Sequence, residues 1–214
     1  MKLLCISTAF KNTDIALNID NKMSYSQTLS NAKQSENALV AIDALLKENK
    51  TKIQDIDSVS VVIGPGSFTG IRIGIGLAKG MAVAKPDLKL VAICSLDLMA
   101  YIFKRDCKLE QDFYCILNAL SGNIFARKYT KDGEAIDEPK MLTGDEITLL
   151  RGTIVGLEDE NLSICNQKVS FTPQSLLELS TLYYSQGKFV SENNLLPLYL
   201  RKSQAEMNDA NKKN

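Results

Sequence analysis

The chain has 214 residues, with 25 basic and 25 acidic side chains, 45% hydrophobic residues and no histidine. A chain of this length can bury a sizeable core, as one large domain or two small lobes, without a disulfide or a structural metal. The absence of histidine excludes a Ser-His-Asp or Cys-His nucleophile pair, imidazole metal ligation and a histidine pH switch. Acid–base chemistry would have to come from carboxylates, lysine, tyrosine or cysteine.

The balanced charge and the cysteines exclude further classes of protein. A net charge of zero leaves no excess of cations for a phosphate backbone, so any role on RNA is expected to depend on another protein. No apolar run reaches the roughly 18 residues of a membrane span, and we expect a cytoplasmic protein without membrane contact. The cysteines form no C-x-x-C pair and are interpreted as small core residues in a reducing compartment. They are Cys5, Cys94, Cys107, Cys115 and Cys165.

The first half of the chain predicts a three-stranded meander followed by alternating helices and strands. Short apolar or alternating runs mark the strands, and Asp20-Asn21 marks the tight turn inside the meander. Apolar residues at helical spacing mark the helices, and Ser95 is the predicted N-cap of the third. The predicted strands are 3–6, 14–19, 23–29, 58–63 and 88–93, and the predicted helices are 34–49, 71–84 and 96–103.

The second half begins as a degenerate repeat of the first. A strand at 114–117, a turn at 121–123 and a strand at 124–129 echo the opening meander, and a further buried strand is predicted at 153–156. Thr172 and Pro173 predict the start of a helix that ends near Ser185. Strands alternating with helices indicate an α/β protein of two related lobes. The predicted division is an N-terminal lobe 1–104, a degenerate lobe 105–201 and a flexible polar tail 202–214.

A glycine-rich segment lies between a predicted strand and a predicted helix. One interpretation is a phosphate loop, because amides at a helix N-terminus can bind an anion. The Walker pattern, however, needs a lysine that Gly70-Ile71-Arg72 does not supply. A chain-reversal loop without a ligand is therefore preferred. The candidate phosphate-binding residues are Gly64, Gly66, Ser67, Thr69 and Gly70.

The helix predicted at 71–84 is apolar on nearly every side. Only Arg72 and Lys79 are charged, and being seven residues apart they lie on one side. Gly74, Gly76 and Gly80 each cost about 0.8–1.0 kcal/mol relative to alanine, so close approach of another backbone should offset them. Two explanations stay open at this point: burial on both faces within this chain, or burial of one face against a partner.

Carboxylates beside the predicted strands are weaker candidates. Asp14, Asp55, Asp57 and Asp112 could ligate magnesium, but acids at strand ends are more often solvated turn residues. No pair of carboxylates stands out. By its chemistry alone, the chain lacks the residues of a self-sufficient enzyme.

The segment Gly64-Pro-Gly-Ser-Phe-Thr-Gly-Ile-Arg-Ile-Gly-Ile-Gly-Leu-Ala-Lys-Gly80 closely resembles the signature of the bacterial TsaB (YeaZ) family. The runs 1–9, 34–36 and 196–201 also resemble positions of that family. The resemblance implies an actin-like ATPase fold (ASKHA, ribonuclease H-like) of two related lobes, the second truncated. The sequence departs from the family pattern at four positions. Ser7 and Asn118 stand where aspartate is usual, Gln34 where histidine is usual, and Leu120 where arginine is usual.

The resemblance also implies a function. It indicates a non-catalytic scaffold or activating subunit, without a cofactor, in the transfer of a threonylcarbamoyl group to adenosine 37 of tRNA. The implied partners are a TsaD-like transferase, a TsaE-like ATPase, tRNA only through the complex, and a second copy of the chain when it is alone. The alternative is an active small ATPase or kinase with phosphates at Gly64–Gly70. The expected partner surface comprises Leu39, Val40, Ala41, Ala44, Ile71, Arg72, Ile75, Gly76, Ala78 and Lys79.

Overall fold

The computed structural model describes residues 1–29 and 34–200, which form two five-stranded sheets with helices around them. The first sheet has the order β3-β2-β1-β4-β5 and the second β10-β9-β6-β7-β8. The strands are β1 (Lys2–Ser7), β2 (Asn12–Ile19), β3 (Lys22–Leu29), β4 (Ser58–Gly64), β5 (Lys89–Cys94), β6 (Phe113–Leu120), β7 (Asn123–Tyr129), β8 (Lys140–Leu142), β9 (Thr153–Leu157) and β10 (Gln167–Val169). The helices are α1 (Gln34–Glu48), α2 (Phe68–Ala84), α3 (Ser95–Asp106), α4 (Gly144–Thr148) and α5 (Pro173–Ser185), with a 3₁₀ turn at Ile53–Asp55.

The predicted α/β class, the meander and the long helices are confirmed, with two corrections at helix starts. α2 begins at Phe68 because the Ser67 side chain accepts a hydrogen bond from the Gly70 N–H at 3.2 Å. Ser95 is not an N-cap: Cys94 holds that position, and the Ser95 hydroxyl is buried without a partner in the part of the chain described. The predicted tail 202–214 lies outside the described residues.

Helices α2 and α5 pack on opposite faces of the first sheet. Ile6 pairs with Val61 across β1 and β4, and a Cβ on Gly74 of α2 would lie 3.1 Å from Val61 and 3.7 Å from Ile6. Ser60, the residue before Val61 on β4, points to the other face because side chains alternate along a strand. There it accepts a hydrogen bond of 2.7 Å from Ser180 of α5.

Helix α1 lies on the same face of the first sheet as α2. Asn49, just after α1, donates a hydrogen bond of 2.9 Å to the hydroxyl of Ser24 on β3. Ser24 pairs with Leu17, and Leu17 pairs with Leu4, so the three side chains lie on one face of the sheet. Leu4 is two residues from Ile6, which faces α2, and residues two apart on a strand share a face. The outer sides of α1 and α2 therefore belong to one side of the protein.

The two sheets share one core, and the chain returns from the second sheet to the first. Helix α3 packs on strands of both sheets, whereas α5 packs on β1, β2, β3 and β5. After α5, the N–H of Val190 donates to the carbonyl of Leu90 at 2.9 Å. Residues 173–200 thus pack on the first sheet, although the sequence predicts them within the degenerate lobe of 105–201. The amphipathic pattern of α5 identified a helix but not the sheet that it covers.

A half-buried polar cluster connects the two sheets through α3. The Asp97 carboxylate accepts hydrogen bonds from Arg127 at 2.8 Å and from the hydroxyl of Tyr129 at 2.6 Å, both on β7. Its other oxygen accepts from the hydroxyl of Tyr183 on α5 at 3.2 Å. One carboxylate therefore joins α3, the second sheet and the returning helix.

We expect Asp97→Ala to lower the free energy of unfolding by roughly 1–3 kcal/mol, because it leaves the buried Tyr129 hydroxyl and the half-buried Arg127 guanidinium without their acceptor. Urea unfolding followed by circular dichroism measures the change. Asp132→Ala is the matched control, since Asp132 is exposed and lies 3.5 Å from Lys104, and it should cost no more than about 1 kcal/mol. Equal losses in the two variants would contradict the assigned role of Asp97.

Candidate functional site

The glycine-rich loop packs directly on the turn that follows β1. The N–H of Ser67 donates to the carbonyl of Ala9 at 2.8 Å, and the hydroxyl of Thr8 donates to the carbonyl of Gly70 at 2.6 Å. The Gly70 N–H is bonded to the Ser67 side chain. Two amides that a phosphate loop would offer to an anion are thus engaged within the chain.

The loop glycines allow this close approach of two backbones. A Cβ on Gly66 would lie 2.7 Å from the carbonyl oxygen of Ala9, and a Cβ on Gly70 would lie 1.8 Å from that of Thr8. Neither distance is compatible with a side chain. The glycines thus have a packing role, which favours the chain-reversal interpretation over phosphate binding.

A cleft of about 960 Å³ lies between the two sheets, beside this loop. Gly66, Ser67 and Thr69 line it on one side, and residues 117–120 line it on the other. Its walls also include a large set of apolar and aromatic side chains: Phe10, Phe68, Phe125, Leu157, Leu198, Tyr199 and Leu200. Gly64 and Gly70 are not part of its lining. Of the five predicted loop residues, three face the cleft and two lie behind it.

The polar groups on the second side of the cleft bind one another. The Asn118 side chain accepts a hydrogen bond from the Leu120 N–H, and the Asn118 N–H donates to the Glu160 carboxylate, both at 2.8 Å. Burial raises the pKa of Glu160 above its ordinary value, although the hydrogen bond from Asn118 opposes this. Asp159 and Glu160 both line the cleft. The sequence analysis missed them, although their place after β9, at the carboxyl end of a parallel strand, was a usable signal.

Of the four carboxylates singled out in the sequence, only Asp14 is buried. Asp55 and Asp57 accept backbone N–H groups from Lys52 and Lys2, as expected of acids at the ends of strands and turns. Asp112 accepts the Lys131 N–H. Within residues 1–29 and 34–200, no three acidic or cysteine side chains are grouped as a metal site.

Asp14 is 2% exposed and lies on β2 opposite Ser7, the residue at the end of β1. Its carboxylate accepts one hydrogen bond from the Gln27 side chain at 2.8 Å. Burial raises the pKa of Asp14 to about 6, and the bond from Gln27 only partly opposes this shift. Asp14 also lines a second, smaller cavity of about 360 Å³ with Phe10 and Phe171.

The structure divides the ten predicted partner-surface residues into two groups. Four of them are at most 8% exposed and belong to this chain's own core, which corrects the expectation that they contact a partner: Ala41, Ile71, Ile75 and Ala78. The other six are exposed or half-buried on the outer sides of α1 and α2: Leu39, Val40, Ala44, Arg72, Gly76 and Lys79. The inner stripe of α2 is thus internal to the chain, and the outer stripe is open.

Comparison with known proteins agrees with this architecture. A protein-family model described as "TsaD: tRNA N6-adenosine threonylcarbamoyltransferase" matches residues 23–207. The tRNA threonylcarbamoyladenosine biosynthesis protein TsaB of Escherichia coli is 25% identical over 96% of both chains. That of Bacillus subtilis is 35% identical over 47% of this chain and 44% of its own. The chain belongs to the TsaB (YeaZ) family.

A solved structure supports the actin-like fold. YeaZ from Pseudomonas aeruginosa superposes with a TM-score of 0.76, at 21% identity, over 93% of this chain and 99% of its own. The two-lobed actin-like (ASKHA) fold expected from the sequence is confirmed. Among the described residues, no helix is both long and apolar enough to cross a membrane.

We expect Asp14→Asn to make the protein more stable at pH 7 and to flatten the pH dependence of stability. The wild-type carboxyl is neutral when folded below about pH 6 but ionises near pH 4 when unfolded, so stability falls as pH rises through that window. Asparagine removes this loss, worth up to about 3 kcal/mol at pH 7 and little at pH 4. Its amide can still pair with Gln27.

Urea unfolding of both proteins at several pH values measures the effect. Asp112→Asn is the control, because Asp112 is a partly exposed acid for which no such gain is expected. A wild-type stability that is constant between pH 4 and pH 7 would contradict the prediction.

Proposed function

We propose that this TsaB-family chain takes part in tRNA threonylcarbamoyladenosine biosynthesis as a non-catalytic scaffold and activating subunit. Its TsaD-like transferase partner would bind the outer side of α1 and α2. A TsaE-like ATPase and tRNA would join through that complex, since 25 basic and 25 acidic residues supply little affinity for nucleic acid. Without the transferase, the same surface would pair two copies of the chain.

Two glycines on the outer side of α2 are the observation that carries this proposal. Gly76 and Gly80 lie in the helix interior, where each costs about 1 kcal/mol relative to alanine. Among residues 1–29 and 34–200, a Cβ on either would meet nothing within 4 Å, in contrast to Gly74, whose Cβ would meet Thr8 Oγ1 at 2.8 Å. The chain's own packing thus explains Gly74 but not the other two. Close approach of a partner helix would explain them.

Exposed apolar side chains lie on the same side of the first sheet as these glycines. Leu39 and Val40 of α1 are 52% and 68% exposed, and Val83 of α2 is 69% exposed. Large exposed apolar side chains that share one side of a protein are typical of protein–protein contacts. Leu39 and Val40 were predicted for the partner surface, whereas Val83 adds to it.

We expect Gly76→Ala to stabilise the isolated chain by roughly 0.5–1 kcal/mol, because alanine favours the helix and its methyl group has free space. The same methyl group should weaken binding to the TsaD-like transferase by holding the partner backbone away. Thermal melting and isothermal titration calorimetry measure the two effects. Gly74→Ala, on the inner side of the same helix, should instead destabilise the chain. A Gly76→Ala variant that binds like the wild type would place the interface elsewhere.

The polar groups around the cleft support a role without catalysis. Ser7 ends β1 where an actin-like ATPase has an acid, and the loop amides of Ser67 and Gly70 are bonded within the chain. The Glu160 carboxylate is bonded to the Asn118 backbone. The lining still includes Lys11, Arg72 and Asp159, so the absence of catalysis needs a direct test.

We therefore expect the purified chain to hydrolyse no ATP above background in the presence of magnesium, as measured by phosphate release. Asp159→Asn, which changes an acid lining the cleft, distinguishes contamination from intrinsic activity. Turnover that the variant abolishes would revive the alternative of a small ATPase of this fold.

A further inference from the structure

The C-terminal strap, residues 190–200, crosses the first sheet and ends beside the start of α2. Leu195 is fully buried, and the N–H of Leu198 donates to the carbonyl of Ile63 at 2.9 Å. The strap therefore holds its last residues next to the outer side of α2. Tyr199 is the residue that reaches this helix.

Tyr199 and Phe68 hold the side chain of Arg72 from two directions. The two rings stack with centroids 4.8 Å apart, and the guanidinium carbon lies 3.8 Å from the centre of the Phe68 ring. The Nε–H of Arg72 donates to the Tyr199 hydroxyl oxygen at 2.7 Å. These contacts fix the plane of the guanidinium and leave its two terminal nitrogens for another acceptor.

Arg72 has no carboxylate partner within residues 1–29 and 34–200. Arg105 and Arg127, by contrast, pair with Glu178 and Asp97 at 2.8 Å. The helix itself offers no acid, because α2 contains neither aspartate nor glutamate. Aromatic contacts thus order an exposed guanidinium that has no carboxylate partner among the described residues. Because the side chain is already ordered, binding an anion costs less conformational entropy.

Arg72 lies at the mouth of the cleft, whose lining it shares with Phe68 and Tyr199, and at the edge of the surface that the proposed partner would cover. It lies one helical turn before Gly76 and two turns before Gly80, so a helix packed on these glycines passes beside it. The outer side of α2 is apolar and basic, which is complementary to an apolar, acidic partner helix. We propose that Tyr199 positions Arg72 to bind a carboxylate side chain of the TsaD-like transferase through both terminal nitrogens. This inference rests on the proposed function.

The test compares the dissociation constants of full-length variants for the TsaD-like transferase of the same organism, at low and high salt. Arg72→Gln should weaken binding about tenfold, and more at low salt than at high salt. Lys89→Gln is the control for charge, because Lys89 is exposed beside Ser58 at the start of β4, whereas Arg72 lies beyond the end of that strand. Tyr199→Phe keeps the ring but loses the oxygen, and should weaken binding about threefold at an unchanged melting temperature.

The double variant separates positioning from a general packing role. Arg72→Gln with Tyr199→Phe should bind no more weakly than Arg72→Gln alone, because Tyr199 acts through the guanidinium. Additive losses, or Arg72→Gln binding like Lys89→Gln, would overturn the inference and leave the proposed function standing. A wild-type chain that does not bind the transferase would overturn both.

Two further measurements test whether the Arg72 guanidinium binds something other than the transferase. Sedimentation in which Arg72→Gln weakens self-association alone would assign Arg72 to a second copy of the chain. Stabilisation of the wild type by inorganic phosphate, lost in Arg72→Gln, would assign it to a phosphate ligand. Either result would overturn the inference.

Discussion

The contact between the Thr8 backbone and Gly70 determines how the first lobe is arranged. The two backbones meet because Gly70 has no side chain, and the Thr8 hydroxyl bonds to the Gly70 carbonyl. The first turn of α2 is thereby anchored to the end of β1. With that turn anchored, Ile71 and Ile75 enter the core, and Arg72 and Gly76 must point away from it.

The packing of the loop on the turn after β1 also engages the amides of Ser67 and Gly70 beside the cleft. The cleft between the sheets has a volume of about 960 Å³, and neighbouring turns are bonded to one another within each of its sides: Ser67 to Ala9 on one side, and Asn118 to Glu160 on the other. Its remaining walls are largely apolar and aromatic. Asp97 and α3 then tie the second sheet to the first through three hydrogen bonds. This arrangement supports the proposed role in surface recognition.

Helix α2 illustrates how far local sequence can identify a function. Its apolar character on all sides was evident, and it allowed either burial within the chain or burial against a partner. The structure shows that the two sides differ: Ala78 is fully buried, whereas no residue of 1–29 or 34–200 approaches a Cβ on Gly80. Helical periodicity defines the two stripes but is symmetric between them, so it could not indicate which one faces the sheet.

The sequence by itself determined the elements whose signals are local. These include the meander with its Asp20-Asn21 turn, where both residues adopt positive φ, and the Thr172-Pro173 start of α5. The signature at 64–80 also indicated the family and its fold. Such features depend on residues close together in the chain, so composition and spacing reveal them.

Only the tertiary structure decided what depends on distant residues. It placed α5 on the first sheet, showed that Asp14 is buried beside Gln27, and brought Tyr199 to Arg72 from 127 positions away. It also showed that the loop glycines accommodate the Thr8–Ala9 backbone. Contacts of this kind follow from the packing of the whole core, and no local pattern of residue types encodes which distant segment fills a given space.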